Sequence, residues 1–339
     1  MKTAATKLRS KEPFCIARFP GEKELNFYQN PTANDQNKGD SFLVKGWITN
    51  DTTYYYASAY GSELDATKAE KVNYSEDIPT ETSFETYSAN FNSYQHAFAN
   101  TSVKKVILSR IKLVDISTKF DLLAYFERLE SAHPNALVFM LLHPTEGLWI
   151  GATPEILISR KGNKYTTVSL AATQRISEKE YHWGAKEKQE QEYVSAHIRK
   201  SLAKNGIENF TESRPATAEA GSVAHLKTIF EFEGDNRDLD FLNIADQIHP
   251  TPAISGTPVS KAIDLINATE NHLRRLYTGY LGRISAQSID LYVNLRCMQV
   301  FPTKMVLYLG GGITQESQLE DEWDETEQKA KTLLKQING

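Results

Sequence analysis

Glu322 and Glu325 stand three residues apart, with Lys329 one further turn along, and Glu187 and Glu190 repeat the spacing far upstream. Residues three and four apart are neighbours on a helix, so each segment presents two carboxylates on one face. Both faces run into apolar stripes, Val194, Ile198 and Leu202 in the first and Leu333 and Ile337 in the second. A stripe marks the buried side of a helix, so the acids point inward. Two carboxylates about 5 Å apart repel by roughly 3 kcal/mol at an effective dielectric near 20. Four of them converging require a cation, and oxygen-only donors favour magnesium or calcium. On spacing alone, two solvated and charge-rich helices remain the commoner outcome.

The elements that must carry these acids come from a chain of 339 residues, long enough for a large core or two domains. Lys+Arg 38 against Asp+Glu 43 leaves a net charge of −5, and no basic stretch interleaves with aromatics, so nucleic acid is not an expected partner. Cys15 and Cys297 are the only cysteines, which excludes a disulfide framework or a cysteine-rich metal site and fits a reducing compartment. Met1–Pro20 lacks the apolar stretch of a signal peptide. The longest apolar run, Ala136–Leu142, falls far short of a membrane span of about 20 residues. A soluble, cytoplasmic protein without a membrane partner is expected.

Asn30–Asp40 reads as a polar loop, and Trp47–Tyr60, rich in Thr and Tyr, as strands. A helix is expected over Phe84–Ala99, a strand over Lys105–Val114, and a helix over Phe120–His133. Ala136–Leu142, Leu148–Ser159 and Tyr165–Ala171 read as successive strands, the last two separated by a turn at Lys161–Lys164. Trp183–Lys204 is the first acidic helix. A polar stretch leads to Ala224-His225-Leu226, and Leu239–Ile248 is read as a helix. His249–Pro258 is a stiff loop with three prolines. A helix over Ser260–Leu276, then strands over Tyr277–Ile284, Ile289–Gln299 and Met305–Leu309, lead to Gly310-Gly311-Gly312. Ser317 and Glu320 fit a capping box for the last helix. Strands and helices mix without a βαβ rhythm, predicting an α+β fold with mainly antiparallel sheets and one composite domain over 1–339.

Gly310–Gly312, placed between strand and helix, offers amides to an anion, or is simply a tight turn. Arg296 in a half-apolar strand suits a carboxylate, or is a surface charge. Lys329 follows Glu325 by four residues, so a helical ion pair is its default role. Glu155 opens an apolar strand, where desolvation would raise its pKa and suit a general acid. Lys105 is in phase with the apolar face of its strand, where a lowered pKa would suit a base. On position alone, a strand-end charge is the commoner outcome for each of the last two.

In this order, Lys105-Val106-Ile107-Leu108-Ser109-Arg110, Gly151-Ala152-Thr153-Pro154-Glu155, Lys186-Glu187 with Glu190, His249–Ala253, Leu276–Gly279, Arg296, the Gly310 run and Glu322–Thr326 with Lys329 resemble the chorismate-utilising enzymes, specifically the isochorismate synthases. The likeness runs from about residue 104 to the C-terminus; residues 1–100 match only as a variable N-terminal part. The resemblance implies an antiparallel β-sandwich flanked by helices that binds chorismate and magnesium, and a monomer. It implies Glu190 and Glu325 as direct magnesium ligands, with Glu187 and Glu322 acting through waters. Arg296, the Gly310, Gly311 and Gly312 amides and Lys329 would hold substrate carboxylates, with Ala171, Thr173, His225 and Tyr277 lining the pocket. Lys105 would activate the water that attacks ring carbon 2, and Glu155 would protonate the hydroxyl leaving carbon 4.

Relatives that use ammonia carry glutamine where Lys105 stands, and the aminodeoxychorismate branch a lysine where Ala171 stands. Water is therefore the implied nucleophile. Salicylate synthase, which goes on to eliminate pyruvate, and a non-catalytic chorismate-binding relative are the alternatives. Gln191 replaces a usual histidine and Ala172 a usual glycine. The resemblance implies a product that enters menaquinone or siderophore synthesis.

Overall fold

A computed structural model describes residues 2–33, 40–57, 77–175, 181–220, 223–234 and 240–337. Its first half comprises α1 (Lys2–Ser10), β1 (Phe14–Arg18), β2 (Asn26–Ala33), β3 (Ser41–Lys45), β4 (Thr52–Ala57), α2 (Phe84–Asn100), β5 (Lys105–Asp115), α3 (Leu122–Ala132), β6 (Leu137–His143), β7 (Gly147–Thr153), β8 (Ile156–Lys161) and β9 (Lys164–Arg175). Then come α4 (Ala185–Lys204), β10 (Thr211–Glu212), β11 (Ala216–Ala220), β12 (Val223–Glu233), α5 (Phe241–Ile248), β13 (Gly256–Thr257), α6 (Val259–Thr269), β14 (Tyr280–Ile284), β15 (Ser288–Val293), β16 (Cys297–Val300), β17 (Lys304–Thr314) and α7 (Leu319–Leu334). No helix among the described residues is long and apolar enough to cross a membrane.

Every strand pairing is antiparallel, and the pairings link into one ribbon: β13-β5-β17-β16-β7-β6-β1-β2-β4-β3-β14-β15-β8-β9-β12, with β10 and β11 both on the far side of β12. The ribbon folds back on itself at β2 and β4. Leu137, Phe139 and Leu141 of β6 meet Phe42, Val44, Leu281 and Tyr292 from the other half in a shared core. The alternate residues of the same strand, Val138, Met140 and Leu142, pack outward beneath α3 and α7. Both faces of β6 are thus covered, which is why it reads as an unbroken apolar run. On the opposite side α4 and α5 cover β8, β9 and β12, while α2 and α6 pack on β5. The α+β sandwich flanked by helices is the architecture present.

Six local expectations need correction. The Asn30–Asp40 loop is strand as far as Ala33, and 34–39 lie outside the described residues. Pro154 divides Leu148–Ser159 into β7 and β8. The polar stretch before Ala224 contains β10 and β11. Helix α6 stops at Thr269, because Glu270 turns extended (ψ 128°) to bury its carboxylate. Ile289–Gln299 breaks at Asn294–Arg296, where Arg296 has φ +48°. The Ser317–Glu320 capping box does not form: Gln318 caps α7 without a side-chain bond, and the Ser317 hydroxyl donates to Glu322 instead.

Gly151 shows how tightly the sandwich closes. It faces Phe139 in β6 and Cys297 in β16, and a Cβ there would lie 2.8 Å from the Phe139 ring and 2.9 Å from the Cys297 Cβ. Overpacking of this kind costs about 1–3 kcal/mol. Gly151→Ala is expected to lower the unfolding free energy by that amount, read as a lower urea midpoint; an unchanged midpoint would show that the sheets relax there.

Candidate active site

A cavity of about 240 Å³ opens where β5, β9, β17, α4 and α7 meet. Lys105, Glu155, Ala171, Glu187, Glu190, His225, Tyr277, Arg296, Gly310, Gly311, Gly312, Glu322, Glu325 and Lys329 all line it. The side chain of Thr173 lies outside the described residues. Ile107, Leu170, Lys186, Thr278, Leu295, Tyr308 and Leu309 also line the cavity without having been singled out as site residues. Period-two alternation from Lys105 along β5 points to Ile107; the apolar members carry no sequence mark beyond burial.

Each acid is held by its own partner. In α4 the stripe Val194, Ile198 and Leu202 is buried, which turns Glu187 and Glu190 to the cavity. Glu187 Oε2 accepts from the Gly184 amide (2.9 Å), capping its own helix. Glu190 Oε2 accepts from Lys105 Nζ at 3.0 Å across the cavity. In α7, Thr326, Ala330 and Leu333 are buried, and Trp323 sits under the Arg110 guanidinium at 3.9 Å. Glu322 Oε1 accepts from Ser317 Oγ at 2.6 Å, and Glu325 pairs with Lys329 at 2.6 Å. Burial pushes Glu322 up, and the neighbouring Glu325 adds to the rise; Lys329 holds Glu325 down. No three His, Cys, Asp or Glu side chains among the described residues stand close enough to share one ion.

Gly310–Gly312 do not form a turn. They lie inside β17, paired with Ser109, Leu108 and Ile107 of β5, while β16 accompanies β17 only as far as Leu307. Amides alternate across an antiparallel strand, so beyond Leu307 every second one points away from β5. The glycines keep the wall low. A Cβ on Gly310 would meet the Tyr277 hydroxyl at 2.8 Å, one on Gly311 Glu322 Oε2 at 3.3 Å, and one on Gly312 Lys105 Cε at 2.8 Å. Lys329 Nζ donates to the Gly310 carbonyl at 2.7 Å.

Glu155 follows Pro154 in the link between β7 and β8. Burial pushes its carboxyl up to about 7, against the pull of Arg296, Lys329 and Lys105. Arg296 donates to Thr332 Oγ1 at 3.1 Å and, among the described residues, has no carboxylate in salt-bridge contact; burial lowers its pKa. A guanidinium so placed on a cavity wall is a receptor for a carboxylate.

Backbone strain gathers here. Ala172, Thr278 and Arg296, three residues with φ between +48° and +59°, line the cavity, and such strain is characteristic of functional sites. Ala172 and Thr173 together oppose only His225, because the β9–β12 register jumps from Ala171↔Leu226 to Gln174↔Ala224. That is a bulge with its left-handed residue at Ala172, a position that favours glycine. His225 Nδ1 donates to the Ala172 carbonyl at 2.8 Å, and burial lowers the imidazole pKa.

Residues 34–338 match the family described as chorismate binding enzyme. The isochorismate synthase EntC of Escherichia coli is 29% identical over 269 residues, 76% of this chain and 67% of that protein. The vibriobactin-specific isochorismate synthase of Vibrio cholerae is 26% identical over 260 residues, 74% and 66% of the two. The alignments thus span about two thirds of these relatives. The solved structure of MenF, the menaquinone-specific isochorismate synthase from Escherichia coli, superposes with a TM-score of 0.79 at 17% identity, over 97% of this chain and 89% of that one. The family match covers most of the length: the chain belongs to the chorismate binding enzymes.

Proposed function

We propose that the chain converts chorismate to isochorismate, adding water at ring carbon 2 and losing the hydroxyl at carbon 4. One observation carries the reading: an amine, Lys105, and a carboxyl held near neutrality, Glu155, line a single cavity whose wall also bears the guanidinium of Arg296, which no carboxylate pairs among the described residues. In its neutral form, Lys105 takes the proton of the attacking water. Glu155 delivers its proton to the departing hydroxyl, since hydroxide is a poor leaving group. Arg296, Lys329 and the β17 amides hold the carboxylates of the substrate, and Ala171, His225 and Tyr277 shape the space around its ring. Strands β1–β4 occupy the middle of the ribbon, which supports reading residues 1–339 as one composite unit.

The acids fit a hard divalent cation. Their donors are all oxygen, and the missing side chain of Gly311 leaves space beside Glu322 and Glu325. The four acids do not converge into one cluster among the described residues; magnesium is usually held by one or two carboxylates plus waters and substrate. Glu190 and Glu325 would hold the ion directly, and Glu187 and Glu322 through water. Bound there, magnesium would neutralise the acids and attract a substrate carboxylate. Incubation with chorismate and magnesium, followed by separation of products, should give isochorismate, and chelation should abolish it. Salicylate with pyruvate, or unchanged chorismate, would overturn the assignment.

A further inference from the structure

Strand β5 carries Lys105 and Ile107 on the cavity wall. One edge is covered by β17 from Lys105 to Asp115. The other meets β13 only at Lys105 and Val106, and beyond that point it is completed by other groups. The Ile107 amide donates to the Ser255 carbonyl at 2.8 Å. The Ile107 carbonyl accepts from Arg274 Nη2 at 2.9 Å, and the Ser109 amide donates to Glu270 Oε1 at 2.8 Å. Farther out, Thr82 Oγ1 and Glu81 Oε1 accept from the amides of Ile111 and Leu113.

Glu270 and Arg274 are also paired with each other, through Nε to Oε2 at 2.8 Å and Nη2 to Oε1 at 2.7 Å. Their side chains are 2% and 1% exposed. The remaining arm of the fork, Nη1, donates to the Ile254 carbonyl at 2.9 Å, and Ile254 lines the cavity. His272 Nε2 lies 2.9 Å from Ser109 Oγ, and its ring packs against Tyr308. Burying two ions is costly, and an apolar pair in their place is often neutral or stabilising. What an apolar pair could not do is tie β5 and the 249–258 loop to one rigid fork.

We propose that Glu270 and Arg274 are positioning residues for Lys105, registering β5 against the Ile254 loop so that the lysine faces the cavity. The inference rests on the reading of Lys105 as the base. A one-residue slip of a strand turns each side chain to the opposite face, so fixing the edge at Ile107 and Ser109 fixes the lysine two residues away.

Either single deletion buries a lone charge, so two gentler variants decide the matter. Arg274→Lys keeps the charge but loses the planar fork; the double variant Glu270→Leu with Arg274→Met removes both charges. With thermal midpoints near wild type, both are expected to lose about 10- to 100-fold in kcat with KM nearly unchanged. In a Lys105→Ala background the same changes should cost less than about twofold, as expected of residues that act through one group. Lys105 should also react faster with an amine reagent, read by mass spectrometry against Lys112. An unchanged kcat, a matching rise in KM, or a full-sized loss in the Lys105→Ala background would overturn the proposal. If the wild-type chain left chorismate untouched, the reaction assignment would fall, and the labelling of Lys105 would alone decide the positioning role.

Discussion

Lys105→Ala is expected to cut kcat on chorismate by about 10²- to 10⁴-fold, the usual contribution of a positioned general base. Lys105 sits 4% exposed on β5, and its methylenes press against Gly312, where a Cβ would come within 2.8 Å. Among the described residues no other lysine is available from the same wall: Lys329 is engaged with Glu325 and the Gly310 carbonyl, and Lys186 is exposed at the mouth of the cavity on α4. The loss should fall on kcat rather than on binding, because Arg296 and Lys329 remain to hold carboxylates. Truncation also strips Glu190 of its 3.0 Å partner. Lys105→Arg restores that charge without a comparable base, since a guanidinium stays protonated in proteins. Steady-state turnover of the two variants therefore separates proton transfer from charge balance. Wild-type turnover in Lys105→Ala would remove the base from the scheme.

How much of this was legible in the sequence divides by range. The acids of α4 and α7 were readable from three-residue spacing and the stripes that follow, since both are local properties of a helix. Their partners were not, because Lys105 and Glu190 are 85 residues apart and nothing local links them. The glycine run shows the opposite failure. Gly-Gly-Gly ordinarily punctuates a chain, but here it lies mid-strand, where the Tyr277 hydroxyl and Lys105 come too close for any side chain. The break at Asn294–Arg296 carries no glycine or proline; the Asn294 side chain donates through Nδ2 to the Leu276 carbonyl at 2.8 Å, a tertiary bond that overrides strand propensity. Helix α6 likewise ends for a distant reason, the demand of Arg274 and the β5 edge for the Glu270 carboxylate. The resemblance placed the left-handed Ala172 at a usual glycine, and the bulge opposite His225 supplies the physical reason.

Glu155→Gln is expected to bind chorismate as tightly as wild type at neutral pH and to turn it over at least about 10²-fold more slowly. The amide copies the shape and neutrality of the protonated carboxyl but has no acidic proton to deliver. The pH dependence fixes the sign. A group that works as an acid must be protonated, and burial holds this one at about 7, so kcat/KM should fall as pH rises through about 7. Below that value the carboxyl is neutral and sets no negative charge against the cations of Arg296 and Lys329. Above it, ionised Glu155 both lacks its proton and sets a negative charge beside a dianion, so binding to wild type should weaken with turnover. The glutamine variant has no such charge to acquire, and its chorismate affinity, measured by titration calorimetry, should lose this component of the pH dependence. Wild-type turnover in Glu155→Gln, or a wild-type kcat/KM with no decline above pH 7, would show that some other group protonates the departing hydroxyl.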